Sequence, residues 1–150
     1  MAQLETKYLG LLLKNPIIVS SSGITSSIEK LKEAQRNGAA AVVLKSVFEE
    51  QINFDAHHQR NISNETESSN YLKGYISTNS FEKHLDHLKE SKKALSIPVI
   101  ASINCVSDNK WTDYTKQFED SGADALELNI YLYPENRKKS ASDIEKEYYN

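Results

Sequence analysis

Cysteine is nearly absent: Cys105 is the only one in the 150-residue chain, which excludes a disulfide framework and fits a reducing compartment. Glycine and proline are scarce as well, at five and three, and the 39% apolar and 26% charged residues fit a globular chain rather than a disordered one. Long apolar runs are missing. The stretch from Leu9 to Leu13 falls far short of the roughly 20 residues that cross a bilayer. No basic segment with an apolar stretch and a small-residue cleavage site opens the chain. A strong charge of either sign is lacking too. The net charge of −3 offers no basic face for nucleic acid. A cytoplasmic protein that engages neither membrane nor nucleic acid is expected.

What is present is a repeat. Pro16-Ile17-Ile18-Val19-Ser20 and Pro98-Val99-Ile100-Ala101-Ser102 are short apolar runs that begin with proline and end with serine. Gly38-Ala39-Ala40-Ala41-Val42-Val43-Leu44-Lys45 and Gly122-Ala123-Asp124-Ala125-Leu126-Glu127-Leu128-Asn129 share a second form, from a helix-ending glycine to a polar residue. Runs of this kind suit strands buried on both faces of a parallel sheet. Helices are expected between them. Ser26 and Glu29 can form a capping box ahead of Ile28 and Leu31. Asn79 and Glu82 can open a second helix with the stripe Phe81, Leu85 and Leu88. A third begins near Ser107 or Asp108 and buries Trp111, Tyr114 and Phe118. A fourth is announced by Ser142 and Glu145.

Alternating strands and helices suit a doubly wound sheet or a (β/α)8 barrel. Ser20-Ser21-Ser22-Gly23 lacks the glycine-rich phosphate turn of a dinucleotide-binding sheet. The repeat favours a (β/α)8 TIM barrel, of which residues 1–150 hold about the first four βα units, since a complete barrel takes roughly 250 residues. A truncated product is expected, with an exposed apolar edge where strand five belongs and a tendency to form homo-oligomers. The segment Tyr8–Asn15 is read as a hairpin closing the barrel bottom. The polar stretch Phe48–Thr78 is read as either a lid over the strand ends or a mobile insertion.

Barrel active sites lie at the carboxyl ends of strands. Those ends carry Ser20 to Gly23, Lys45 with Ser46, Ser102 with Asn104, and Asn129. A lysine ending an apolar strand needs an anion or acceptors nearby. The two asparagines, with donors and acceptors, suit the edge of a heteroaromatic ring.

In this order, Asn15-Pro16-Ile17-Ile18 leading to Ser21-Ser22-Gly23, Ala41-Val42-Val43-Leu44-Lys45-Ser46, Ile97-Pro98-Val99-Ile100-Ala101-Ser102 and Leu126-Glu127-Leu128-Asn129-Ile130 resemble the dihydroorotate dehydrogenase family. Thr6-Lys7-Tyr8-Leu9-Gly10 resembles that family's opening hairpin. The resemblance implies an FMN-dependent dehydrogenase acting on dihydroorotate or a related dihydropyrimidine-like small molecule in pyrimidine metabolism. It implies flavin contacts from Ser21, Ser22, Gly23, Lys45, Ser46, Asn104 and Asn129. Lys45 and Asn129 would also face the substrate, with Asn79 a weaker match to the family's substrate loop. Two departures stand out. The family's Cys or Ser base position is Leu132, which cannot take a proton, and Asn79-Ser80 is followed by Phe81 rather than Met-Gly.

These departures keep a non-catalytic flavin or metabolite binder as the alternative, and the 150-residue chain alone is expected to be inactive. Tyr131 and Tyr133 can carry a proton but read as packing residues. His84 and His87, flanking Asp86 off the apolar stripe, read as a solvated face rather than metal ligands, and no metal site is expected. Cys105 reads as a buried structural thiol.

Overall fold

A computed structural model describes residues 4–49, 81–104, 110–130 and 139–147. Strand β1 (Thr6–Tyr8) and strand β2 (Leu11–Leu13) form an antiparallel hairpin, with Tyr8 opposite Leu11. Its two-residue turn holds both Leu9 (φ 51) and Gly10 (φ 79) in the left-handed region, the geometry that matches the twist of the flanking strands.

The main sheet is wholly parallel. β3 (Ile18–Val19) pairs with β4 (Ala41–Val43), β4 with β6 (Val99–Asn104), and β6 with β7 (Ala125–Leu128). A short β5 (Val47–Phe48) continues the line of β4 along the same edge of β6. The strands therefore lie side by side in chain order, each linked to the next by a crossover. The sheet is open among the described residues, with no closed barrel.

Val43 faces Ile100 and Val47 faces Ile103. Four steps on β4–β5 thus answer three on β6, so the chain carries one extra residue between Leu44 and Ser46. Such a bulge bends the strand and re-aims a side chain. Phe48, expected to begin the polar excursion, is instead the last residue of β5. Residues 50–80, which hold the remainder of that stretch, lie outside the described residues.

One face of the sheet meets helices. α1 (Ile28–Arg36), α2 (Phe81–Ala94) and α3 (Lys110–Asp120) bury Leu31, Leu85, Leu88 and Phe118 against Val42, Leu44, Val99 and Ala101. Phe81 stacks obliquely on Tyr114 and edge-on to Phe118, with ring centroids 4.9 and 5.3 Å apart. These spacings add to the burial of the three rings. The expected stripes of all three helices therefore form one core. The opposite face is narrower: Leu13 and Leu11 of the hairpin pack on Ala40, Ala41, Val43 and Ile100. The hairpin thus covers the amino-terminal part of that face and leaves the carboxyl ends open.

Helix starts differ from expectation. Ser26 does not cap α1. It donates to the carbonyl of Gly23 (2.7 Å), and the cap residue Ser27 makes no side-chain capping bond. The reciprocal box forms earlier, between Ser22 and Thr25, around the 3₁₀ turn Gly23–Ser26. The last helix, α4 (Ala141–Glu147), is opened by Ser140, whose hydroxyl exchanges hydrogen bonds with Asp143, rather than by Ser142. These bonds from Ser140 hold the Asp143 carboxyl below its ordinary pKa. Gly38 (φ 101) and Gly122 (φ 89) do end α1 and α3 in the left-handed region, where glycine carries no Cβ penalty.

Candidate functional site

A cavity of about 450 Å³ opens at the carboxyl ends of the strands, within the size range of small-molecule sites. Ser21, Ser22 and Gly23 line it from the turn after β3, Lys45 and Ser46 from the bulge, and Asn129 from the end of β7. Lys45 and Asn129, which close the two repeated glycine-led segments, thus meet at one site. Ser22 is fixed by its own box, its N–H bonded to Thr25 Oγ1 (3.3 Å) and its Oγ accepting from Ile24 N (3.3 Å).

Lys45 is exposed although its neighbours Leu44 and Ser46 are buried. Leu44 belongs to the helix-side core and Ser46 to the opposite polar row. The bulge lets both keep their places and turns Lys45 outward. Among the described residues its ammonium makes no ion pair, so it remains available to an anionic or carbonyl oxygen.

Asn104 is buried and lies next to the site without lining the cavity. Its side-chain amide donates to the carbonyl of Asn129 (2.8 Å), and the N–H of Asn129 donates to the carbonyl of Ile103 (2.8 Å). Its place is therefore in support of Asn129. Asn79, Ser80, Cys105, Tyr131, Leu132 and Tyr133 lie outside the described residues.

Three features were not evident from sequence. Ser102 is buried and donates to Glu127 Oε1 (2.9 Å), bringing an acid onto the cavity wall. A single acid inside a short apolar strand reads as a solvent-facing position, and Glu127 is indeed exposed, but it also pairs with Ser102 on the polar side of the sheet. The signal was the alternation of Leu126 and Leu128 about it.

The second feature corrects the reading of His84 and His87 as a solvated face. Both are half-buried and line a separate cavity of about 310 Å³ on the helix side, with Lys45 and Lys83. His87 Nε2 lies 3.2 Å from the carbonyl of buried Thr25, tying α2 to the turn after β3. Burial lowers the pKa of His84, and the nearby charges of His87 and Lys45 lower it further. Helical spacing put these residues off the stripe, but the turn after β3 covers that flank as well. The third feature is the bulge itself, which no residue type announces. No group of His, Cys, Asp and Glu able to hold a metal occurs among the described residues. No helix there is long and apolar enough to cross a membrane.

A parallel sheet in chain order, helices on one face and a polar cavity at the strand carboxyl ends define an α/β protein. The chain is 28% identical over 135 residues to dihydroorotate dehydrogenase B (NAD(+)), catalytic subunit, of Thermoplasma acidophilum, and 27% identical over 135 residues to the protein of the same name from Thermoplasma volcanium. Each match covers 87% of this chain and 42% of the relative, so the chain spans about two fifths of the relatives' length. No family model matches it. The two relatives support a dihydroorotate dehydrogenase-like family, as the strand-end motifs imply.

Proposed function

We propose that the chain provides the ring-side wall of a flavin site in an FMN-dependent oxidoreductase of the dihydroorotate dehydrogenase type. It would supply the first four β/α units of a (β/α)8 barrel. The observation that carries this reading is that Lys45, Asn129 and the Ser21–Gly23 turn share one cavity at the strand carboxyl ends.

The residues fit the group in kind. An isoalloxazine edge alternates carbonyl oxygens with ring nitrogens. The Lys45 ammonium suits an electron-rich oxygen, the Asn129 amide can donate and accept at once, and the serines add hydroxyl groups. Bound flavin would supply the acceptor for a hydride from a dihydropyrimidine-like small molecule. Lys45 and Asn129 would orient that substrate against it. Leu132, standing where the family places its proton-accepting Cys or Ser, favours a second reading: a flavin or metabolite binder without turnover.

Barrel phosphate sites form after strands seven and eight, beyond the units represented here. The 150-residue chain should therefore hold the flavin ring weakly, gain little from the phosphate, and turn over no dihydropyrimidine. The proposed setting is cytoplasmic. β7 pairs only with β6 among the described residues, and its open edge favours self-association. Titrations with lumiflavin, riboflavin and FMN, followed by flavin fluorescence, test the site. Similar weak, saturable binding of all three supports it. Binding by none of them contradicts it.

A further inference from the structure

Four side chains form one hydrogen-bonded row across the sheet. Ser21 Oγ lies 3.0 Å from Ser46 Oγ, and Ser46 Oγ lies 2.8 Å from Ser102 Oγ. Ser102 Oγ in turn donates to Glu127 Oε1 over 2.9 Å. Geometry alone leaves the direction of the first two bonds open, because either hydroxyl of each pair can donate. The last bond closes the question. An ionised carboxylate only accepts, and a serine hydroxyl has one proton to give. Ser102 gives its proton to Glu127, so it must accept from Ser46. Ser46 has then given its own and must accept from Ser21.

Ser21 is left with no proton for a ligand. One of its acceptor positions is already taken by the N–H of Ser46, at 2.9 Å. Another remains. Glu127 is exposed and Ser21 half-buried, but Ser46 is 7% exposed and Ser102 1%, so water has little access to the two middle hydroxyls, and an unmet buried hydroxyl is costly. The row is therefore one-directional while Glu127 is ionised.

We propose that the Glu127 carboxylate fixes the direction of this row and makes its Ser21 end a hydrogen-bond acceptor. The cavity would thereby select a ligand edge that carries an N–H donor beside an oxygen for Lys45. The ligand preference rests on the flavin reading of the cavity; the direction of the row does not. Protonation of Glu127 would let the carboxyl donate, free the row to reverse, and abolish the preference. Glu127 acts here as a positioning residue, through Ser102 and Ser46.

The test follows two NMR signals of the intact chain through a pH titration: the Glu127 side-chain carboxyl carbon and the Ser46 backbone amide proton, which reports on Ser21 Oγ. The Ser46 amide should move with the midpoint of Glu127, and Ser102→Ala should abolish that movement while Glu127 still titrates. A Ser46 amide that stays flat while wild-type Glu127 titrates overturns the row. So does one that follows Glu127 unchanged in Ser102→Ala. The ligand preference is read by comparing lumiflavin with 3-methyllumiflavin, which lacks the N3–H donor. Several-fold weaker binding of the methylated ring is expected, and equal or tighter binding overturns the preference. Binding of neither ring contradicts the flavin reading instead, and the Ser46 amide then decides the row.

Discussion

Asn104 and Asn129 are joined by a 2.8 Å hydrogen bond from the side-chain amide of one to the main-chain carbonyl of the other. The N–H of Asn129 is held as well, by the carbonyl of Ile103. The backbone of Asn129 is thus fixed from both sides, which leaves its side chain to face the cavity. Asn104 is buried and Asn129 exposed, so the bond is shielded from water on the Asn104 side only.

Replacing Asn104 by alanine removes a part-buried hydrogen bond and should cost about 1 kcal/mol of stability. Urea unfolding followed by circular dichroism measures it. Flavin binding should weaken in the same variant, because Asn129 loses one of its two anchors. Unchanged stability would show that the bond is not maintained in solution.

Leu9 occupies the left-handed region (φ 51) in the hairpin turn and is 58% exposed. A branched side chain there is strained by about 1 kcal/mol, whereas asparagine before glycine suits the turn. Leu9→Asn should therefore raise stability by up to about 1 kcal/mol, read as a higher urea midpoint at unchanged slope. A lower midpoint would mean that Leu9 contributes more by packing than it loses in strain.

His84 supplies a pH dependence. Its folded pKa lies below the ordinary 6.5, through burial first and then the charges of His87 and Lys45. The unfolded chain therefore binds more protons between the folded value and about 6.5. Stability from this group is intact above that window and is lost as pH falls through it. His84→Gln should flatten this part of the stability profile relative to wild type. Lys45→Met should raise the imidazole pKa of His84, measured by NMR. A pKa unmoved by Lys45→Met would place the ammonium away from the ring.

Much of the fold was legible because its signals are local. Proline before an apolar run, glycine after a helix and a stripe at helical spacing all act within a few residues, and β3, β4, β6, β7 and the first three helices stand where such signals put them. What was not legible depends on partners distant in sequence. The insertion between Val43 and Val47 exists only relative to β6. The role of Glu127 depends on Ser102, across a strand pair. His84 and His87 look exposed on their own helix and are covered only because another segment folds over it. The strand-end residues of the site were readable for the opposite reason. A parallel sheet brings the ends of successive strands together, so Lys45 and Asn129 could be matched by their distance from Gly38 and Gly122.

The open edge carries a further expectation. Leu128 and Ile130 are about half exposed at the end of β7, at 52% and 48%. Substituting both with lysine should reduce concentration-dependent association, because charge on an edge strand opposes pairing. Sedimentation velocity over a range of concentrations would show it. Association unchanged by the pair of lysines would place the contact elsewhere.

The most direct test of the site is a fluorescence titration of lumiflavin into the wild-type chain, Lys45→Ala and Asn129→Ala, with FMN titrated in parallel. Weak, saturable binding to the wild type is expected, with at least a several-fold loss in each variant and little gain from the phosphate of FMN. Binding that is unaltered in both variants, or tight stoichiometric binding of FMN to a monomer of this chain, would contradict a ring-side site built by Lys45 and Asn129 with the phosphate held elsewhere.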